Sequence, residues 1–181
     1  MEQVVVLPAD VRAIDRHEHL AALFDAHEDR LYRLARRLTT TIDDANDLVQ
    51  ETFLRAAKSL PKVPSGLANE EAWLVRVLIN IRRDQWRKAA VRQRSQVLLD
   101  GFDARATNQE SALLTKRAVW AALDVLPPRR RAITVLHELE GLSLSDIAVL
   151  LGVNVMTVRW HLSLARRELR RLLKQHLEET E

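Results

Sequence analysis

Apolar residues recur at steps of three and four along most of this chain, the spacing that places them on one face of an α-helix. A first stripe runs from Leu20 to Leu38, a second from Ala45 to Leu60, and a third from Trp73 to Ile81. The pattern resumes near Leu113 and continues almost to the end of the chain. No stretch alternates with the period of two that is typical of strands. The sequence therefore predicts an all-α protein.

The helical pattern fails in two places, and these define the predicted domains. Residues 1–16 show little periodicity and are predicted to form an N-terminal arm. Residues 93–110 lose the apolar period and collect Gly, Asp, Asn and Thr, which predicts a flexible linker. Two small helical domains remain, over 17–92 and 111–176.

Several residues are expected to begin helices. Asp43 or Asp44 is the predicted N-cap of the second helix, and Asn69 that of the third, because short polar side chains accept hydrogen bonds from free amides there. Pro128 suits the first turn of a helix, where its missing N–H costs nothing. His27, on an apolar face, is expected to be a hydrogen-bonded core residue.

The segment from Ser143 to Leu173 has the pattern of a helix-turn-helix. Ser143 and Asp146 form a capping box, and Gly152 supplies the positive φ that ends a short helix. Asn154 then caps a second helix. The predicted buried face of that helix consists of Val155, Val158, Leu162, Ala165, Leu169 and Leu172.

The opposite face of this second helix is basic and polar, which suits the major groove of DNA. Its residues are Met156, Thr157, Arg159, Trp160, Ser163, Arg166 and Arg167. Arg159 suits a guanine edge, and Thr157 a phosphate or a thymine methyl group. Arg166 and Arg167 lie farther along the helix and suit phosphates, which give affinity without sequence information.

Charge is distributed unevenly, although 28 Lys and Arg nearly balance 25 Asp and Glu. Residues 82–94 and 159–174 each contain six basic residues and one acid, whereas residues 43–51 contain four acids and no base. This pattern indicates two contacts with a polyanion and a different partner for the acidic helix.

The composition argues against an enzyme. Cysteine is absent, which excludes a disulfide scaffold, a thiolate zinc site and a cysteine nucleophile. The segment His17-Glu18-His19 places its two imidazoles on different sides of a helix, and the HExxH, Gly-rich phosphate-loop and GxSxG motifs are absent. No catalytic residue, metal or cofactor is therefore expected. No apolar run is long enough to span a bilayer and no signal peptide opens the chain, so a cytoplasmic protein is expected.

Three runs, in this order, carry a family resemblance. They are DANDLVQETFLRA at 44–56, AWLxRxxxNxxxDxxR at 72–87, and LPxRxRxxxxLxxxxGLSxxxIAxxLGVxxxTV at 126–158. With them the chain resembles an extracytoplasmic-function (ECF) sigma factor of bacterial RNA polymerase, over about residues 20–173. The resemblance implies that the first domain is sigma region 2 and the second is sigma region 4. It also implies that the protein binds core polymerase, directs it to specific promoters and helps to melt the DNA.

The resemblance assigns expected roles in the first domain. In relatives the acidic helix docks on the clamp helices of the polymerase. At matching positions this implies that Asp47, Gln50 and Glu51 contact the polymerase. The apolar residues of the same helix, Leu48, Val49 and Phe53, are expected mostly in the core. In relatives the third helix and the loop before it hold the melted non-template strand of the minus-ten element and capture an extruded base. The expected contacts are Asn80 as base reader, Arg76, Arg83 and Arg87 on phosphate or base, and residues 62–68 as the base pocket. Trp73 is expected in the core.

In the second domain the resemblance implies readout of the duplex minus-thirty-five element. The expected contacts are Thr157, Arg159, Trp160, Ser163, Arg166 and Arg167. The family often has a small polar residue where Trp160 stands and a basic residue where Leu164 stands, so the promoter preference is expected to differ. Members of this family are commonly held inactive by an anti-sigma factor, which is the further partner the resemblance implies.

One alternative is a stand-alone helix-turn-helix regulator that binds duplex operator DNA as a dimer and needs no polymerase. The acidic helix and the AWLxRxxxN run argue against it, because duplex readout requires neither.

Overall fold

The computed structural model describes the backbone of residues 9–95 and 111–178, and the side chains of residues 16–89 and 118–175. Within those ranges all regular secondary structure is helical, which confirms the all-α prediction. The helices are α1 (Ala9–Leu38), α2 (Ile42–Lys58), α3 (Leu67–Ser95), α4 (Ser111–Val125), α5 (Pro128–Thr134), α6 (Leu144–Leu151) and α7 (Val155–Glu178). A 3₁₀ turn covers Leu60–Lys62, and a π-helical turn covers Val135–Leu139.

The N-terminal boundaries of the helices differ from those predicted. Helix α1 begins at Ala9, so residues 9–16 of the expected arm are helical. The N-cap of α2 is Thr41, whose Oγ1 accepts a hydrogen bond from the Asp44 amide at 3.0 Å. The prediction of Asp43 or Asp44 as the cap was wrong. Both acids lie in the first turn instead, where they face the positive end of the helix dipole.

Helix α3 also begins earlier than expected. Gly66, with φ of 96°, turns the chain ahead of Leu67, so Asn69 lies inside the first turn and is not the cap. Asn69 Nδ2 donates to the Ser65 carbonyl at 3.1 Å, and Glu70 Oε1 accepts from the Gly66 amide at 3.2 Å. At its other end α3 continues to Ser95, and the rest of the predicted linker, 96–110, lies outside the described residues.

The core joins the two helical units. Helices α1, α2 and α3 pack together, α5 and α6 pack on α7, and α3 also contacts α5 and α6. One apolar cluster consequently spans both units. Its fully buried members include Leu31, Leu34, Leu48, Leu74 and Leu78 from the first unit and Ile133, Ile147 and Val158 from the second. A smaller cluster of Leu123, Leu126 and Ala165 fastens α4 to α7.

Polar contacts reinforce this packing where α5 meets the end of α1. Arg131 is 4% exposed; its Nε donates to the Arg37 carbonyl at 2.8 Å and its Nη2 to the Thr39 carbonyl at 3.1 Å. These bonds satisfy carbonyls that the end of a helix leaves free. Burial lowers the pKa of Arg131, and its ion pair with Asp124 opposes that shift.

A second set of charges links α1 to the residue that follows the π turn. Glu140, whose side chain is 5% exposed, pairs with both Arg30 and Arg37. Arg30 also binds Glu71 of α3 at 3.1 Å. The two units are therefore held against each other by a shared core and by a network of arginines.

Candidate nucleic-acid and polymerase interfaces

The predicted helix-turn-helix is present, with α6 and α7 bent by 109°. Ser143 Oγ accepts from the Asp146 amide at 3.1 Å and donates to Asp146 Oδ2 at 2.7 Å, so the carboxylate binds the hydroxyl instead of reaching back to the Ser143 amide. Gly152 ends α6 with φ of 63°, and the Val153 amide bonds back to the Ala148 carbonyl at 2.9 Å. These local bonds fix the angle at which α7 leaves the turn.

Helix α7 presents the predicted faces. Val158, Leu162 and Ala165 are buried, and the other residues of the expected inner face are half-buried. The exposed residues are Met156, Arg159, Trp160, Ser163, Arg166 and Arg167, whereas Thr157 is half-buried.

An open cleft of about 550 Å³ runs along this outer face. Four of the expected contacts, Arg159, Ser163, Arg166 and Arg167, line it together with Arg170. Arg166 is held by Glu138, which accepts from its Nε at 2.9 Å and from its Nη2 at 2.7 Å. The tertiary structure therefore brings Arg159, Ser163 and Arg167 together along one cleft, next to Arg166, which is ion-paired with Glu138.

His161 lies on the flank of α7 between these faces. Burial lowers its pKa, and the nearby Arg129 and Arg130 lower it further. Within the described part of the chain, its Nδ1 is buried without a hydrogen-bond partner, and its ring contacts that of Trp160 at a centroid distance of 4.8 Å. The neutral imidazole is therefore favoured at this position.

The acidic helix α2 separates its polar and apolar residues as predicted. Leu48, Val49 and Phe53 are buried, and the Phe53 ring packs against Phe24 of α1 at a centroid distance of 4.8 Å. Asp47 and Gln50 are exposed on the opposite side. Glu51 is half-buried and accepts a hydrogen bond from Arg55 Nε at 3.1 Å.

The expected minus-ten contacts share one stripe of α3, since steps of four, three and four residues keep a helix face. Arg76 is engaged: its Nε donates to the Leu150 carbonyl at 2.6 Å and its Nη2 to the Val149 carbonyl at 3.0 Å. Asn80 is half-buried, Arg83 binds the neighbouring Asp84, and Arg87 is exposed. The stripe is thus only partly open to a ligand in this conformation.

Other residues near this stripe have structural roles. Trp73 is half-buried against the main apolar cluster, as expected, and His27 is buried with Nε2 3.1 Å from Glu70 Oε2. In the candidate base pocket, 62–68, Val63 is buried, the other residues are exposed, and Leu67 and Ala68 already belong to α3.

Sequence reasoning missed the residues that join the two units. Arg131 belongs to the LPxRxR run, but its partners at Arg37 and Thr39 lie more than ninety residues away in the chain. Glu140 likewise reaches Arg30 across 110 positions. No local signal identifies such pairs.

In the described part of the chain, no single helix is both long enough and apolar enough to cross a bilayer. Only α6 and α7 taken together, as a bent pair, have that length and composition. In the same residues, no three His, Asp or Glu side chains group closely enough to hold a metal ion.

Comparison with known proteins identifies the family. The model for Sigma-70 region 2 matches residues 23–92, and that for Sigma-70, region 4 matches residues 116–169. The ECF RNA polymerase sigma factor SigE of Mycolicibacterium smegmatis is 40% identical over 160 residues, which cover 85% of this chain and 61% of SigE. SigM of Mycobacterium tuberculosis is 33% identical over 153 residues, which cover 83% of this chain and 75% of SigM.

A solved structure agrees in fold. The sigma factor RpoE, in complex with the anti-sigma factor NepR from Bartonella quintana, matches with a TM-score of 0.61 and 28% identity, covering 88% of this chain and 97% of RpoE. This chain therefore belongs to the family of ECF RNA polymerase sigma factors. Members of that family are transcription-initiation factors and not enzymes.

Proposed function

We propose that this chain binds core RNA polymerase in the cytoplasm, places it on promoters with two recognition elements and stabilises the melted strand. The observation that supports this most directly is the outer face of α7, where Arg159, Ser163 and Arg167 line an open cleft beyond the helix-turn-helix bend. A helix presented in this way fits the major groove with its first turns against base edges. Arg159 would read a base pair of the minus-thirty-five element, and Arg167 would hold a phosphate.

The acidic side of α2 is the proposed polymerase contact. Asp47 and Gln50 are exposed, and the helix that carries them is fixed in place by a buried apolar face. Glu51 would join them once its hydrogen bond to Arg55 is exchanged. An exposed anionic surface of this kind is suited to the basic side of a partner protein and not to DNA.

The stripe on α3 is the proposed minus-ten surface. Asn80 has the amide that reads a base edge, and Arg83 and Arg87 extend the stripe with backbone-binding charge. Arg76 can join them only when it releases the two carbonyls at the end of α6. Contact of Arg76 with the melted strand therefore requires the two units to separate.

An anti-sigma factor is the proposed negative regulator. RpoE, which matches this chain across both units, was solved in complex with the anti-sigma factor NepR. A partner that favours the closed packing would keep Arg76 on α6 and so oppose contact with the melted strand.

Transcription in vitro tests the proposed function. The chain is added to bacterial core polymerase on a pool of genomic fragments, and start sites are mapped; we expect initiation at a defined set of promoters only when the chain is present. Asn80→Ala should slow formation of the open complex more than binding of the closed complex. Gln85→Ala, which removes an exposed amide on the same helix but outside the stripe of expected contacts, is the control.

A gel shift separates this proposal from a stand-alone regulator. Without core polymerase we expect only weak binding to promoter duplex, and steeply weaker binding as salt rises, because many contacts are to phosphates. Tight binding to unmelted duplex by the chain alone, together with no effect on core polymerase, would contradict the proposal.

A further inference from the structure

The outer face of α7 carries two large apolar side chains among its polar ones. Met156 is 62% exposed and Trp160 is 58% exposed. They lie four residues apart and are therefore neighbours on one side of the helix. Exposed apolar side chains of this size on a surface proposed to bind DNA raise the question of which apolar group they contact there.

Both side chains are held near the start of the helix. The Asn154 Oδ1 caps the helix by accepting from the Met156 amide at 2.8 Å. Arg159 Nη1 lies 3.7 Å from the Met156 Sδ, and the Trp160 ring packs beside that of His161 at a tilt of 59°. The first turns of a recognition helix are the part that reaches base edges, so this apolar pair and Arg159 would enter the groove together.

The major groove offers one apolar group to such side chains, the C5-methyl of thymine. A step of four residues advances about 6 Å along a helix, so the two side chains would reach neighbouring base pairs in the groove. We propose that Met156 and Trp160 read two neighbouring thymine methyl groups beside the base that Arg159 reads. This inference rests on the proposed binding of the minus-thirty-five element by α7.

The surroundings favour DNA over an apolar protein surface as the occupant. Arg159 lies between the two apolar residues in sequence, and the cleft beyond them is lined by Arg166 and Arg167. A protein that covered Met156 and Trp160 with an apolar surface would have to remove Arg159 from water without a counter-charge, which is costly. DNA provides phosphates and guanine acceptors for the same guanidinium.

The test isolates the methyl group. Holoenzyme, assembled from the full chain and core polymerase, selects promoters from a duplex pool randomised across the upstream element, prepared once with thymine and once with uracil in that segment. Uracil differs from thymine only by the missing methyl. We expect thymine enrichment at two positions, with a drop of about fourfold at each in the uracil pool, the effect of one buried methyl.

Variants assign each position. Trp160→Ala should lose thymine preference at one position and Met156→Ala at the other, even in the thymine pool, while Trp160→Phe keeps an apolar contact and most of the preference. Val125→Ala is the matched control, because Val125 is also 58% exposed but lies on α4. It should leave both preferences unchanged.

Two results would overturn the inference alone. One is equal enrichment in the thymine and uracil pools. The other is an unchanged thymine preference in the Trp160→Ala variant, together with failure of that variant to bind an anti-sigma factor. If holoenzyme selects no upstream sequence at all, while still melting a minus-ten element, then the proposed role of α7 fails and the inference fails with it.

Discussion

The two candidate DNA-binding surfaces of this protein are in different states. On α7, Arg159, Ser163 and Arg167 face an open cleft and are free of the neighbouring unit. On α3, Arg76 is bonded to the end of α6 and Asn80 is half-buried. The surface proposed for duplex DNA is therefore formed in this conformation, whereas the surface proposed for the melted strand is partly covered by the other unit.

The polar contacts that hold the two units together involve the guanidinium groups of arginines. Arg76 and Arg131 both donate to carbonyls at the C-terminal end of a helix in the opposite unit, and Glu140 pairs with two arginines of α1. Helix C-termini have free acceptors and a partial negative charge, so a guanidinium there is favourable by both hydrogen bonding and the dipole. These bonds can be exchanged for bonds to water or DNA, which suits the proposed separation of the two units.

The largest expected effect is that of removing Arg131. Arg131→Ala should lower the free energy of unfolding by about 3 kcal/mol, because it leaves Asp124 without its partner and the carbonyls of Arg37 and Thr39 without donors. Urea unfolding measures the loss. Arg131→Lys keeps the charge but not the planar fork, and should lose less; equal stability of all three proteins would contradict this account.

The next effect concerns the open surface. Arg159→Ala should weaken holoenzyme binding to a cognate promoter by about 1–3 kcal/mol and relax specificity at one upstream base pair. Fluorescence anisotropy with single-base promoter variants measures both quantities. Arg171→Ala is the control on the same helix, since Arg171 is paired with Glu168 and lies outside the cleft. A uniform loss across all sequences would instead assign Arg159 to a phosphate.

A smaller change should open the covered surface. Glu140→Gln removes the charge that holds Arg30 and Arg37, and should weaken the closed packing by about 1 kcal/mol. We expect a larger radius of gyration in small-angle X-ray scattering and faster open-complex formation. Glu138→Gln, which breaks an exposed pair with Arg166 inside one unit, should leave the radius unchanged. A faster reaction without expansion would contradict opening as the cause.

The smallest effect is a pH dependence within the α7 unit. Because the pKa of His161 is lowered in the folded protein, the unfolded chain binds this proton first as pH falls through about 6.5. The contribution of His161 should therefore lower the free energy of unfolding as pH falls below that value. Urea unfolding at pH 7.5 and 5.5 should show a smaller decline in His161→Gln than in the unmodified chain; an equal decline would exclude His161 as a source.

Features that depend on neighbours a few residues apart could be predicted from the sequence. Local spacing predicts the capping pair of Ser143 and Asp146, the positive φ of Gly152 and the amphipathic faces of α2 and α7. The family motifs are likewise visible in the sequence. Local reasoning failed at the start of α2, where Thr41 and two aspartates offer equivalent oxygens within four residues and only the backbone geometry chooses among them.

Which charged side chains are engaged in contacts between the units depends on the tertiary structure. Arg76 and Arg87 look equivalent on the α3 stripe and both are exposed, yet Arg76 bonds to a carbonyl 74 residues away in the chain. The partners of Glu140 and Arg131 are similarly remote. A guanidinium satisfies any well-placed acceptor, so its partner depends on which helix ends the packing brings near it, and that packing is a property of the whole core.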